Sequence, residues 1–311
     1  WLSYIDALIK EKQFDNAKQV LEQAKNQSVA GEKLNIFEIQ LTSIAQVNTH
    51  KLAVQKKVKK QNLNAVSPSE AEIKSLLEYC QNGQYGDAEK LAVAMTKRFP
   101  SHQFCWKVLG AVLENTGRIN ESLAASQKSV QLAPQDAEAS NNLGNVLQKL
   151  GRLNEAEVSY TKAIALESGY ASAHYNLGVA LQKLRRLDEA EQSFTQAIVL
   201  KPDYAEAHNN LGGTLEELGR LEEAEVSFKQ SIVLKPDYAQ AHNNLGGALR
   251  QLGRLEEAEA SYKQAVVLKP DFAEAHTNLG NMLKELGRLE EAEARYKQAL
   301  EIRPNSAEAL M

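Results

Sequence analysis

Four of the six histidines and a set of five asparagines recur along the chain at one fixed interval. The histidines are His174, His208, His242 and His276, and the asparagines are Asn142, Asn176, Asn210, Asn244 and Asn278. Neighbours within each set are 34 residues apart. Imidazole nitrogens bind metal ions, and a carboxamide donates and accepts hydrogen bonds at once. Which of these chemistries is open to each set depends on the elements that carry it.

Those elements belong to an internal repeat of the same length. The clearest copy is 205–238, with the sequence AEAHNNLGGTLEELGRLEEAEVSFKQSIVLKPDY. An internal period of this size predicts a solenoid. The register begins at Ser69 with a degenerate copy, 69–102. The later copies are 103–136, 137–170, 171–204, 205–238, 239–272 and 273–306, and residues 307–311 start a further repeat.

Each copy has the pattern of a helical hairpin. In the clearest copy we predict a first helix, helix A, from about Glu206 to Leu218, with Gly219 as the left-handed residue that ends it. Asp203 and Glu206 have the spacing of a capping box in front of that helix. A second helix, helix B, follows and ends before Pro236. Since one hairpin cannot bury both of its faces, the copies are expected to stack on one another.

Small residues stand opposite a large one where helices A and B are expected to meet. Gly212 on helix A and Ala224 on helix B leave room, and Phe228 is predicted to fill it. Burying such a large side chain contributes about 1.5–3 kcal/mol. Enlarging Ala224 to leucine is therefore expected to cost about 1–3 kcal/mol through overpacking.

These positions carry a resemblance to tetratricopeptide-repeat proteins over nearly the whole chain. The matching residues are Trp106, Leu109 and Gly110 in helix A, and Gly219, Ala224, Phe228 and Pro236 in the rest of the repeat. The resemblance implies an all-α fold, a right-handed α-solenoid (superhelix) of antiparallel helix-turn-helix units whose A helices line the concave surface. The His-Asn-Asn-Leu-Gly run is most similar to the repeats of O-linked N-acetylglucosamine transferases. It also resembles bacterial arrays that precede sulfotransferase or methyltransferase domains.

The repeat decides between the chemistries of the histidines. Each recurring histidine lies on a different helix A, at least about 8–10 Å from the next. Zinc requires donors about 2 Å from a single ion. The histidines also occupy the position that Trp106 takes in its own copy, at the edge of the packed face. We therefore predict that they are structural, and we expect no metal site and no cofactor.

The asparagines have a different expected role, because they lie on the polar face of helix A. An asparagine row along a groove can satisfy the N–H and C=O groups of an extended peptide without selecting its side chains. In the transferases that the chain resembles, an asparagine ladder at this position holds the substrate backbone. The alternative is that asparagine is tolerated there or stabilises the stack. Glu206, Glu217 and Arg250 complete the candidate groove, in which charge varies between copies.

Composition restricts the function classes. The formal net charge of −4 and the pI near 6.0 argue against a nucleic-acid partner, which requires a basic surface. Two cysteines, Cys80 and Cys105, make no disulfide framework and favour a reducing, cytoplasmic location. No stretch reaches the roughly 18 apolar residues of a membrane span, so no membrane partner is expected.

The rest of the chain is less regular. Residues 1–45 are predicted to form truncated N-terminal repeat-like helices, and 46–68 a lysine-rich linker or spacer before the array of 69–311. The cluster Lys51–Lys60 is interpreted as a solvated face, with a phosphate-binding patch as the alternative. The chain begins at Trp1 in mid-pattern, so it is expected to be a fragment.

No nucleophile–base pair, phosphate-binding loop or carboxylate dyad has a context here, and the carboxylates of the recurring GRLEEAE run are interpreted as structural. We therefore predict a non-enzymatic scaffold that binds a protein or extended peptide in its concave groove. One alternative is the substrate-recognition arm of a larger glycosyl-, sulfo- or methyltransferase whose catalytic domain lies outside this chain. Another is self-association through the exposed ends of the array. Replacing Asn210, Asn244 and Asn278 by alanine is expected to weaken partner binding with melting nearly unchanged.

Overall fold

The chain divides into two compact units, Trp1–Ala65 and Val66–Met311. The structure, a computed structural model, describes Ile5, Leu8, Ile9, 13–26, Phe37, Leu41 and 67–304. The segment 46–66, with its lysine cluster, and residues 305–311 lie outside that description. Within it every regular element is an α-helix. None of the described helices is long and apolar enough to cross a membrane.

The described part of the first unit is built around one helix, α1 (Phe14–Asn26). This helix contributes three residues at helical spacing, Ala17, Leu21 and Ala24, to a buried apolar cluster. The other buried members of the cluster are Ile5, Leu8 and Leu41.

The described part of the second unit consists of seven helical hairpins in chain order. In each hairpin an A helix of 12 or 13 residues precedes a B helix of 14. The A helices are α2 (Glu70–Gln81), α4 (Gln103–Asn115), α6 (Ala137–Lys149), α8 (Ala171–Lys183), α10 (Ala205–Glu217), α12 (Ala239–Gln251) and α14 (Ala273–Glu285). The B helices are α3 (Tyr85–Arg98), α5 (Ile119–Leu132), α7 (Leu153–Leu166), α9 (Leu187–Leu200), α11 (Leu221–Leu234), α13 (Leu255–Leu268) and α15 (Leu289–Ile302). The array is an all-α solenoid.

The close packing of helices A and B follows from the small residues. A Cβ added to Gly212 would lie 2.7 Å from the ring of Phe228, so only glycine fits at that point of α10. Phe228 and Ala224 are both fully buried. The equivalent glycines Gly144 and Gly246 meet Tyr160 and Tyr262 in the same way. The predicted close approach of a neighbouring helix at Gly212 is confirmed, and the residue that approaches is Phe228.

The turn between the helices needs a left-handed residue. Gly219 has φ +76°, and the same conformation recurs at glycine in most copies. Arg185 occupies this position between α8 and α9 with φ +63°. A side chain in this region brings its Cβ close to the following carbonyl oxygen, which costs about 1–2 kcal/mol. The copy 171–204 therefore contains backbone strain that its neighbours lack.

The predicted capping box in front of α10 is wrong. The helix begins at Ala205, its N-cap is Tyr204, and no side chain caps it. The turn after Pro202 is closed by the backbone instead: the Tyr204 amide donates to Lys201 and the Ala205 amide donates to Asp203, both at 3.1 Å. Asp203 is therefore one residue too early to act as the cap.

Arginines at the start of the B helices link consecutive copies. Arg220 donates to Glu223 in its own helix and to Glu191 in the preceding B helix, each at 2.7 Å. The same fork occurs at Arg186, Arg254 and Arg288. Exposed ion pairs each contribute only up to about 1 kcal/mol. The recurring GRLEEAE run is nevertheless explained by this contact, which is structural.

The two helix types lie on different sides of the array. From α4 onward, each A helix contacts the next A helix directly as well as the B helices beside it. Successive B helices contact one another less. Because the A helices are closer together than the B helices, the array curves with the A helices on the inner side.

Candidate peptide-binding groove

The recurring histidines hold the turn that precedes their own helix. The Nε2–H groups of His208, His242 and His276 donate to the backbone oxygens of Pro202, Pro236 and Pro270 at 3.2, 3.1 and 2.9 Å. His174 makes the same bond to Ser168 at 3.2 Å. Trp106 makes the equivalent bond from its indole Nε1 to Pro100 at 2.9 Å. Histidine therefore replaces tryptophan in one structural role.

The asparagine row, defined as Asn142, Asn176, Asn210, Asn244 and Asn278, lies half-buried on the A helices. Each member follows directly after a position of an inner row, which is formed by Asn141, Tyr175, Asn209, Asn243 and Thr277. All of these side chains except Tyr175 are buried. The described A helices therefore carry two parallel rows of polar side chains.

Hydrogen bonds connect four asparagines of the row, all except Asn142, to the preceding copy. The amide of Asn244 donates to Oδ1 of Asn209, and that of Asn278 donates to Oδ1 of Asn243, both at 3.0 Å. Asn210 donates to the hydroxyl of Tyr175 at 3.1 Å. The row therefore stabilises the stack, as the alternative interpretation suggested.

These bonds change what is expected of the triple alanine variant at Asn210, Asn244 and Asn278. Removing the donors would leave the buried oxygens of Asn209 and Asn243 unsatisfied, at about 1–3 kcal/mol for each. Melting is therefore expected to change. The sequence analysis did not predict the inner row. The doublet of asparagines in the repeated His-Asn-Asn run could have indicated it.

The row retains hydrogen-bonding capacity after these contacts. The side chain of Asn142 makes no hydrogen bond within the described chain. Asn176 uses both amide protons, on Asn141 and Asn145 at 3.0 Å, and its Oδ1 is unused there. Donors and acceptors thus remain along the inner side of the array.

The predicted charged residues of the groove each have a partner in the array. Glu206 accepts from Lys235 at 3.1 Å, Glu217 pairs with Arg185, and Arg250 pairs with Glu285. Partial burial acts to raise the pKa of Glu206, but hydrogen bonds from its backbone and from Lys235 bring it below its ordinary value. The hydrogen bond to Glu285 raises the pKa of Arg250.

Several of these pairs belong to a ladder across the copies near the end of helix A. Lys149 pairs with Glu114 at 2.8 Å, and Gln182 donates to Glu217 at 3.3 Å. The ladder continues with Gln251, which donates to Glu216 at 2.5 Å. Ion pairs in the ladder neutralise Lys149, Glu217 and Arg250, whereas Glu216 has only an amide as its partner.

The repeat is recognised by sequence as well as by shape. Models described as TPR repeat and Tetratricopeptide repeat match residues 149–184, 171–204, 193–226, 214–252, 246–287 and 273–306. Together they cover 149–306, just over half of the chain. The chain belongs to the tetratricopeptide-repeat family. No curated protein gives a significant match.

Solved tetratricopeptide arrays share the fold. PilF of Pseudomonas aeruginosa matches with a TM-score of 0.60 and 21% identity, over 67% of this chain and 95% of that chain. A tetratricopeptide repeat protein from Parabacteroides merdae matches with a TM-score of 0.62 and 17% identity, over 78% and 95%. The Cut9–Hcn1 hetero-tetramer of the APC/C matches with 0.67 and 19%, over 95% and 58%. At these identities the comparisons establish the architecture alone.

Proposed function

We propose that the chain is a binding scaffold that holds an extended segment of a partner protein along the asparagine row. The observation that carries the proposal is the row itself: five carboxamides at one repeat position, on the helices that line the inner side. Asparagine is a mediocre helix former, so helix stability does not favour it there. Its contacts across the stack use only part of its hydrogen-bonding capacity.

The spacing of the row suits an extended chain. Neighbouring packed helices are about 8–10 Å apart, and an extended strand rises about 3.3 Å per residue. Each copy therefore corresponds to about three residues of a bound segment, and five copies correspond to about 12–15. The row would contact the backbone of that segment at every third residue.

The hydrogen-bonding pattern supports backbone recognition. A carboxamide that donates one N–H to the preceding copy has its second N–H available for a ligand. The Oδ1 atoms of Asn176 and Asn278 accept no hydrogen bond in the described array. An extended peptide offers both N–H and C=O groups, so it can use both kinds of site. Affinity then comes from the backbone, and selectivity comes from the side chains next to the row.

A displayed library of random 15-residue peptides, selected on the whole chain, tests the proposal. Asn142→Ala is the most suitable variant for testing ligand contacts, since the Asn142 side chain makes no hydrogen bond within the described structure. Losing one hydrogen bond to the ligand should weaken a selected synthetic peptide about 3–10-fold. Asn154→Ala, on the exposed side of α7 in the same copy, is the matched control.

Titration calorimetry or fluorescence anisotropy would measure both variants, with helicity and melting recorded in parallel. We expect Asn142→Ala to bind more weakly than the original chain, and Asn154→Ala to bind equally well. Selected peptides that bind both variants with equal affinity would remove the asparagine row from the binding site.

A further inference from the structure

Glu216 differs from the other carboxylates near the asparagine row. Its hydrogen-bond partner is an amide, that of Gln251, whereas Glu206, Glu217 and Glu285 each pair with a lysine or arginine. Within the described groove Glu274 also has no ion pair, but Glu274 is exposed and Glu216 is half-buried. Glu216 is therefore a partly enclosed negative charge without a neighbouring cation.

Such a group is unfavourable in the unliganded array. Burial raises the pKa of Glu216, the hydrogen bond from Gln251 counteracts part of that rise, and the adjacent Glu217 adds to it. Withdrawing a carboxylate from water without a counter-charge opposes folding. A cation supplied by a ligand would offset this cost, and binding would then gain from it.

Two glycines replace larger residues next to this carboxylate: Gly247 faces it from the next copy, and Gly213 lies one turn before it in α10. Gly213 and Gly247 occupy the position filled by Asn145 and Val179 in the two preceding copies. A Cβ on Gly247 would approach nothing closer than Glu216 Oε1 at 3.5 Å and the Tyr262 hydroxyl at 3.8 Å. One on Gly213 would approach only Gln182, at 3.7 Å.

Helix packing therefore does not require either glycine, in contrast to Gly212 and Gly246 beside them. In the copy with Asn145, that side chain accepts a hydrogen bond from Tyr160 at 2.9 Å. In the copy with Gly247, no side chain takes this place, and the hydroxyl of the buried Tyr262 lies 3.8 Å from where a Cβ would stand.

We infer that this cation notch, defined by Gly213, Glu216, Gly247 and Tyr262, binds a lysine or arginine side chain of the extended segment. The inference rests on the proposed function. The ammonium or guanidinium group would pair with Glu216, and its methylene stem would lie along the backbone left bare by the glycines. Arg250, which interacts with Tyr262, is held by two hydrogen bonds to Glu285 and does not neutralise Glu216.

The peptides selected from the 15-residue library provide the test. We expect lysine or arginine to be enriched at one fixed position, and a synthetic peptide of that sequence to bind Glu216→Gln about tenfold more weakly. Replacing the basic residue of the peptide by norleucine should weaken binding to the original chain by a similar factor. The two changes together should cost no more than either alone, because they remove the same contact.

Three variants keep the test decisive. Glu216→Gln retains an oxygen for Gln251, so the fold is expected to remain intact, and melting checks this. Glu274→Gln removes one unpaired charge outside the notch, so it is expected to leave the preference unchanged. Glu216→Lys should replace the basic preference by aspartate or glutamate.

The possible failures separate the inference from the proposed function. Selected peptides whose binding depends on Asn142 but that have no enriched lysine or arginine position would overturn the cation notch. So would additive losses of affinity when Glu216→Gln is combined with the norleucine peptide. Either result would leave the proposed binding along the asparagine row intact. A selection that enriches no peptide sensitive to Asn142→Ala would overturn both.

Discussion

Gly212 and Gly213 are adjacent residues of α10 whose surroundings predict opposite effects of the same substitution. Both lie in the helix interior, so alanine at either position gains about 0.8–1 kcal/mol of helix propensity. The new Cβ at Gly212 would lie 2.7 Å from two ring atoms of Phe228. The new Cβ at Gly213 would approach only the end of Gln182, at 3.7 Å.

The difference between the two variants therefore isolates the steric effect. Phe228 is fully buried and cannot move aside without disturbing its neighbours. Overpacking of this kind costs about 1–3 kcal/mol. We expect Gly213→Ala to be more stable than the original chain by about 1 kcal/mol. Gly212→Ala should be less stable than Gly213→Ala by about 1–3 kcal/mol.

Urea unfolding followed by circular dichroism would give the midpoints, and amide exchange in α10 and α11 would localise the change. Both measurements are needed because long repeat arrays depart from two-state unfolding. Equal midpoints for the two variants would refute the argument, since they would show that Phe228 yields to the added methyl group without cost.

Three further predictions follow from the turns and from the cation notch. Arg185→Gly should stabilise the array by about 1 kcal/mol, because glycine adopts the left-handed conformation without strain and only an exposed ion pair is lost. Gly219→Ala should destabilise the array by a similar amount, and thermal melts would measure both variants. Backbone amides around Ser168 should exchange faster than those around Pro202, because this turn lacks the proline that restricts the backbone in the other copies. Ser168→Pro should reduce the difference in exchange rate, and equal rates in the original chain would count against this reasoning. The raised pKa of Glu216 means that the folded array binds a proton more tightly than the unfolded chain does. Stability is therefore lost as pH rises above the ordinary value of 4.5. Glu216→Gln should melt higher than the original chain at pH 7, with the difference vanishing in acid.

Much of the array could be predicted from the sequence because its determinants are local. The period places each hairpin, Gly219 ends helix A where a left-handed residue is needed, and Gly212 lies opposite Phe228. These features depend on residue type and on separations of a few residues. The N-cap of α10 is Tyr204 and not the predicted Asp203, because backbone hydrogen bonds within the turn set the start of the helix and no side chain caps it.

The partners of the polar side chains could not be predicted in the same way. Asn244 and Asn209 are 35 residues apart in the chain and are joined at 3.0 Å across the stack. Stacking of the A helices makes that contact, and nothing in one repeat specifies it. Hydrogen bonds and ion pairs depend on positions within a few tenths of an ångström, which the packing of neighbouring copies fixes.

The repeat, the hairpin, the structural role of the histidines and the asparagine row can thus all be read from residue types and spacing. How those residues are used depends on the packing of the copies. It pairs Glu217 and Arg250 within the array, engages the asparagines between copies, and leaves Glu216 beside two glycines with an amide as its partner. Helices and turns form through contacts between residues close in the chain, so residue types and their spacing specify them. Which charges are paired depends instead on which surfaces of neighbouring copies come together.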